Sequence, residues 1–493
     1  MTQIGTTDCR LYIRARKGDS LILCVRTAAK LKRSRMQIVY KRCCGMDVHK
    51  DSVTACLLLI DAEGEFLVEK RRFGTMTQDL REMRAWLKSQ GVERIAMEAT
   101  GVYWKPVWNI LEAEDGFELL LVNAQHVKNV PGRKTDQKDS EWLSDLLQHG
   151  LLRGSFVPPL EIRQLRDLTR MRTKVRQEVA TWSNRIQKVL EDANIKLGSV
   201  ASDVLGVSGR QMLKALMAGQ QDPKQLAELA RGRLKEKVEV LQLALEGHFT
   251  EHHGFQLRIL FDLVQYGESQ LEKLAIEIRR LIMKVEQNPS EPVELKSAPM
   301  ALESAQPKLS PSASPETAEI APVPEKSRLQ NAMDLWKTIP GISEITAAML
   351  VAEIGVDLNQ FPSAHHLASW AGLCPGNNES AGKRRSGRIR KGNVWLRRTL
   401  CQAAWAASRT KKTYLSAQYR RLIVRKGKKK TIVAVAHSML IIAYAILKSG
   451  NPYRDLGADY FDRLDSQGLQ KRLVNKLTNL GFEVTLTPKS EPA

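Results

Sequence analysis

The pattern of apolar and polar positions changes character several times along the chain. Between about 40 and 150, short β-rich apolar runs alternate with stretches of helical spacing. Residues 43–46 and 53–60 read as strands, and the turn D61-A-E-G64 leads to a third at 66–73. Leu80, Met83, Trp86 and Leu87 then fall on one face of a helix over 77–89. A strand at 94–97, a helix at 103–114, a strand at 118–122 and a helix at 136–149 follow. Three strands before the first helix, then alternation, predict a mixed sheet covered by helices, one α/β domain over 36–155.

From 156 to 287 the period becomes helical throughout. Leu168, Val175, Trp182 and Val189 recur every seven residues, with Val179 and Ile186 in a second register, which predicts a coiled-coil-like seam. A second long helix is expected over about 255–287, with breaks between at Gly206, Gly209, Gly219 and Pro223. Helical arms of this kind join protomers or span a partner. Residues 288–328 read as a linker: eight of the 19 prolines stand there, with Ser, Ala and Glu and no aromatic residue. That composition buries too little apolar surface to offset its ordering entropy, so the two halves are expected to fold separately.

A C-terminal all-α domain is expected over 329–455, followed by a tail over 456–493. Its start, L335-W-K-T-I-P-G-I-S-E-I-T, is similar to a helix-hairpin-helix module, whose hairpin amides can grip a phosphate. An ordinary helix start at Ser343 accounts for the same residues. Further helices are expected at about 394–408 and 430–448. Residues 1–35 carry nine Lys/Arg, two Asp and no sustained period, and read as a disordered basic extension.

Composition narrows the classes. Of 493 residues, 43% are hydrophobic and 26% charged, which excludes wholesale disorder. Seven cysteines without C-x-x-C spacing argue against a disulfide framework and a structural zinc, and for reduced thiols in a cytoplasmic protein. The most apolar stretch, 432–447, contains His437 and Ser438 and reads as a buried helix, so no membrane partner is expected.

The 76 Lys+Arg against 54 Asp+Glu give a net charge of +22, which points to a polyanion, nucleic acid first. That charge is concentrated. The first 35 residues supply +7, and Lys383–Lys430 supplies +18 without one acidic residue, leaving the rest slightly acidic. Lys383, Arg384, Arg385, Arg388, Arg390, Lys391, Arg397 and Arg398 are the candidate phosphate contacts. Trp395, Trp405, Tyr414 and Tyr419, interleaved with the cations, either stack on bases or pack helices.

Four carboxylates carry candidate chemistry. Asp47 in C-G-M-D-V-H-K-D and Glu98 in R-I-A-M-E-A-T-G stand at the polar ends of apolar strands. Asp136 and Asp139, in K-T-D-Q-K-D-S, share one helix face. Two Mg²⁺ ions ~3.5–4 Å apart need such hard oxygen ligands in phosphoryl transfer. Caps and solvated charges use the same residue types at the same places.

Together, G-M-D-V-H-K, M-E-A-T-G-V-Y and R-K-T-D-Q-K-D-S resemble the DEDD transposases of the insertion-sequence-110 family, over roughly 42–190 and again 335–450. The resemblance implies a ribonuclease-H-like, RuvC-type fold for the first domain and a Mg²⁺-binding tetrad of Asp47, Glu98, Asp136 and Asp139. W-A-G-L-C-P-G-N-N-E-S-A-G-K-R-R-S-G looks like the family's C-terminal transposase domain, which implies Ser380 as nucleophile; bottom-up, Ser386 would look no different. It also implies cleavage of DNA through a phosphoserine link, a structured guide RNA from the element, homo-oligomers (dimer or tetramer) that share active sites, and action at the bacterial nucleoid. A RuvC-like structure-specific nuclease that ignores Ser380, or a non-catalytic nucleic-acid-binding scaffold, remains open on the residues alone.

Overall fold

The computed structural model describes residues 9–12, 24–27, 37–60, 66–99, 101–113, 116–124, 127, 139–287, 328–376, 378–380, 382–389 and 391–486. The chain forms two compact units, 1–157 and 158–493.

The first unit is a mixed sheet. Strands β1 (Cys9–Tyr12), β2 (Cys24–Thr27), β3 (Arg42–Val48), β4 (Val53–Ile60), β5 (Phe66–Phe73), β6 (Arg94–Glu98) and β7 (Glu118–Val122) lie in the order β1-β2-β5-β4-β3-β6-β7. The pairs β3–β4 and β4–β5 are antiparallel, whereas β3–β6 and β6–β7 are parallel. Residues 9–12 and 24–27 belong to the leader expected to be disordered. They are strand instead, because β5 has a free edge with unpaired backbone groups and β2 hydrogen-bonds along it.

Helices cover both faces, as period-2 alternation dictates. On β3, Cys44, Met46 and Val48 enter one core with Leu80, Met83, Trp86 and Leu87 of α1 (Thr77–Ser89) and Val107, Trp108 and Leu111 of α2 (Trp104–Glu112). On the opposite face, Cys43, Ala96 and Val122 meet Leu143, Leu146 and Leu147 of α3 (Asp139–Gln148). α3 comes so close that Gly45 has no room for a side chain: a Cβ would stand 2.5 Å from the Ser144 amide nitrogen and 2.7 Å from the Ser140 carbonyl oxygen. The Gly45 amide donates to Ser144 Oγ at 2.8 Å, and Ser144 Oγ donates to the Cys56 carbonyl at 2.7 Å. Gly45→Ala is expected to lower the stability of this unit by about 1–3 kcal/mol, read as a lower denaturation midpoint; an unchanged midpoint would mean α3 can retreat freely.

The second unit is helical. α4 (Leu160–Asp192) and α5 (Glu251–Gln287) pair antiparallel, and Gly267 lets α5 approach Val179 and Trp182. At one end of the pair, Ile186, Val189, Leu257 and Phe261 share a core with the short helices between 197 and 245. At the other, Ile162, Leu165, Ile278 and Ile282 enter the core of α6 (Arg328–Lys337), α7 (Glu344–Ile354), α8 (Ala364–Trp370), α9 (Val394–Arg409) and α10 (Tyr414–Ser449). The helical arm and the C-terminal helices are therefore one folded unit on either side of residues 288–327, against the expectation that the Pro-rich stretch separates independently folding halves. The physical reason is that the base of α4 and α5 presents apolar residues which only the C-terminal helices cover.

The helix expected at 430–448 is the second limb of α10, which kinks at Gly427 (φ 72°, ψ 164°). Ile432, Val435, Ala436, Met439, Leu440 and Ala443 are buried in the core, as the sequence predicts for that stretch. Among the described residues α10 alone is long and apolar enough to cross a membrane, and half of its apolar window is buried within the protein.

Candidate active site and nucleic-acid interface

The parallel pairing of β3 with β6 matches Met46 with Met97. Continuing that register by one residue sets Asp47 beside Glu98, at the carboxyl ends of adjacent strands. Both leave the sheet on the face away from Met46 and Met97, which is the face α3 covers. α3 runs back along β3: the Gln148 carbonyl accepts from the Val39 and Tyr40 amides, whereas Ser140 and Ser144 lie over Gly45. This direction carries Asp139, the first residue of α3, toward the Asp47 end of the strand. Three of the four predicted carboxylates thus share one face and one end of the sheet. Asp136 lies outside the described residues.

Asp47 is partly exposed, its side chain at 23%, and its Oδ2 lies 3.1 Å from His49 Nε2. An ionised carboxylate can only accept, so the imidazole nitrogen is the donor. Among the described residues, no group of three or more His, Cys, Asp and Glu side chains is close enough to hold a metal ion. The donor chemistry nevertheless fits a hard divalent cation: Asp47, Glu98 and Asp139 offer oxygen only, and Cys43, Cys44 and Cys56 are buried in the sheet.

A cleft of about 460 Å³ opens beside these strand ends, lined by Val48, His49, Lys50, Asp51, Ser52, Arg72, Gly101 and Tyr103. Lys50 and Asp51 sit in the β3–β4 turn, which the His49 amide closes on the Ser52 carbonyl at 2.9 Å. Arg72 reaches in from β5, its Nη2 donating to Ser52 Oγ at 3.0 Å. Arg72 belongs to no motif, and Tyr103 ends the M-E-A-T-G-V-Y motif without having been given a role there; the strand order β5-β4-β3-β6 gathers Arg72 here and the turn after β6 brings Tyr103.

In the second unit, β8 (Asn378–Ser380) and β9 (Lys383–Ser386) form a hairpin in which Ser380 pairs with Lys383 across Gly382 (φ 73°). Arg384 and Arg385 follow in β9, and Lys383, Arg388, Lys391 and Arg398 are exposed, with Arg397 half-buried. Arg390 lies outside the described residues. Further along, Arg420, Arg421, Arg425, Lys426, Lys428, Lys429 and Lys430 are all exposed around the Gly427 kink. Among the described side chains of the predicted basic tract, the cations other than Arg397 therefore face solvent. Trp395 takes a packing role: the Arg170 guanidinium lies 5.6 Å from its ring centroid.

The I-P-G-I turn is real, with Gly341 at φ 89°, but its glycine is spent on packing. A Cβ there would stand 2.4 Å from the Ala403 carbonyl oxygen of α9. Ser343 caps α7 by accepting from the Thr346 amide, so the ordinary helix start is what these residues display.

A second cluster escaped the sequence reading. Glu353 is 1% exposed, on the apolar helix α7. Arg170 binds it bidentately at 2.7 and 2.8 Å, and Asn393 Nδ2 donates to Glu353 Oε2 at 2.6 Å. Arg166 donates to the Ala352 and Glu353 carbonyls; burial pulls its guanidinium down to about 10, with the attraction of Glu353 opposing. Asn393 Oδ1 in turn caps α9. A lone carboxylate within A-A-M-L-V-A-E-I is the signal that could have flagged this network.

The first unit is a mixed sheet with carboxylates at its strand ends, consistent with a ribonuclease-H-like domain, and the second is helical, with Lys383, Arg388, Lys391 and Arg398 open to solvent. Residues 44–195 match an IS110-type DEDD transposase domain, and residues 333–420 match the domain described as Transposase IS116/IS110/IS902 family. The chain belongs to the IS110 family of transposases. It is 33% identical over 128 residues to the pilin gene-inverting protein of Moraxella bovis, covering 25% of this chain and 39% of that one. It is also 33% identical over 122 residues to the transposase for insertion sequence element IS1111A of Coxiella burnetii, covering 24% and 33%. With an insertion element IS110 protein of 43.6 kDa from Streptomyces coelicolor it shares 33% identity over 121 residues, 24% of this chain and 29% of that one. The chain thus spans about a third of the length of the curated relatives it matches.

Proposed function

We propose that the protein is a DNA recombinase that moves an insertion element by cutting and rejoining strands. The observation that carries this reading is the convergence of Asp47, Glu98 and the start of α3 on one face and one end of the sheet, in a chain that matches both transposase domains. The names of the relatives, a gene-inverting protein and an insertion-element transposase, support DNA rearrangement as the outcome.

Asp47, Glu98, Asp136 and Asp139 would hold Mg²⁺, as two ions. Bound there, Mg²⁺ would supply charge neutralisation and Lewis acidity at the phosphate. Ser380 is the nucleophile in this reading. Its Oγ gives up a proton and attacks phosphorus, one P–O bond breaks to release a hydroxyl end, and the phosphoserine keeps the bond energy for rejoining. The cations from Lys383 to Arg398 neutralise the phosphates beside it. Phosphate contacts carry no sequence information, which is why a structured guide RNA is assigned the choice of site. The protein works as a homo-oligomer at the nucleoid.

The test is an excision or strand-transfer assay of wild type, Asp47→Ala and Ser380→Ala, with trapping of a protein–DNA adduct. Loss in both variants, and an adduct absent from Ser380→Ala, is the expected result. Loss in Asp47→Ala alone would turn the reading into a nuclease, and loss in neither would leave a binding scaffold.

Binding to DNA or RNA is expected to weaken by ~10³-fold or more between about 50 and 200 mM salt, as bound cations on the polyanion are released. A filter-binding or anisotropy titration checks this, and a flat dependence would sink the electrostatic account.

A further inference from the structure

We propose that the cleft beside Asp47 and Glu98 is a nucleotide-holding site for the DNA strand being cut, with Arg72 and Lys50 gripping a backbone phosphate and Tyr103 stacking on the adjoining base. This assignment rests on the reading that the carboxylates act on DNA. The lining of the cleft begins one residue after Asp47 and three after Glu98, so it opens at the same strand ends. Its volume of about 460 Å³ falls within the range of roughly 300–1,000 Å³ typical of sites for small ligands.

Its lining selects the ligand chemistry. Lys50 and Arg72 bring two cationic side chains to the lining against the single carboxylate of Asp51. The Arg72 guanidinium is oriented by Ser52, which is 8% exposed, so one of its nitrogens is fixed and the fork is preset for an anion. Tyr103 is 44% exposed, an aromatic ring left open to solvent at the mouth of a polar cleft. Gly101 turns the chain ahead of it at φ 53°, and a Cβ at Gly101 would only touch the ring edge, at 4.0 Å. A cationic fork beside an open aromatic face matches one nucleotide unit, a phosphate with a base, better than a free phosphate or an apolar ligand.

The experiment uses the full chain and a single DNA strand carrying 5-iododeoxyuridine, irradiated and mapped by peptide mass. A cross-link at Tyr103 is expected, retained in Tyr103→Phe, absent in Tyr103→Ala, and reduced about tenfold in Arg72→Ala. Circular dichroism and melting of each variant keep misfolding apart from lost contact. Asp47→Ala is expected to keep the cross-link while losing strand cutting. Cross-links confined to 383–430, or obtained at Tyr103 only with the matching RNA strand, would overturn the proposal. If cutting depends on Asp47 but Tyr103 never cross-links, the recombinase reading stands and the cleft assignment falls. If Tyr103 cross-links but no cutting depends on Asp47, the recombinase reading falls, and with it the assignment of the cleft to a strand being cut.

Discussion

Asp47→Asn is expected to reduce strand cutting by about 10³-fold or more while leaving the fold intact. Asparagine matches aspartate in shape and keeps an oxygen that can accept from His49, so only the negative charge is lost. A carboxylate that neutralises charge at the phosphate contributes several kcal/mol in the transition state, and each ~1.4 kcal/mol is tenfold in rate. The fold tolerates the change because Asp47 is partly exposed at the end of β3, whereas Met46 and Val48 on either side are fully buried. A surface change of this kind shifts stability by about 0.5 kcal/mol or less. Single-turnover cutting of a labelled duplex, with a melting curve of the same preparation, separates the two effects. Near-wild-type cutting would remove Asp47 from the chemistry.

Glu353→Ala is expected to destabilise the helical unit by about 3–5 kcal/mol, the usual cost of leaving a buried charge without its partner. The carboxylate is 1% exposed and takes both prongs of the Arg170 fork together with Asn393. Its removal strands Arg170 and takes from Arg166 the carboxylate that offsets the burial of its charge, leaving that guanidinium only the backbone carbonyls of residues 352 and 353. Asn393 also loses the acceptor that holds the cap of α9 in place. Because Arg166 and Arg170 come from α4, the damage reaches the joint between the helical arm and the C-terminal helices. Urea denaturation followed by far-ultraviolet dichroism measures the loss. A change below about 1 kcal/mol would mean the network is solvated and marginal.

These two residues mark how far the sequence could be read. Asp47 was legible because it stands where a buried strand turns polar, inside wording shared with a family. Glu98 was legible for the same reason, and Asp139 because it opens a helix. Glu353 and Arg72 were not legible. Nothing near Arg72 in the sequence distinguishes it from other strand arginines, and the partners of Glu353 lie 183 and 40 residues away. The I-P-G-I turn was legible as a turn, but not its use, because packing against Ala403 is a tertiary fact.

By itself the sequence determined the strand and helix order between β3 and α3, the long helices, the basic surface and the family. Each of these is written in local periodicity, local charge or short motifs. Only the tertiary structure decided that β5 accepts β2 from the leader with β1 beyond it, that α4 and α5 share a core with the helices beyond residue 327, and that a cleft holding Lys50 and Arg72 forms at the carboxylate-bearing strand ends. Those outcomes depend on which apolar faces and strand edges find one another across long stretches of chain, and no local pattern encodes that pairing.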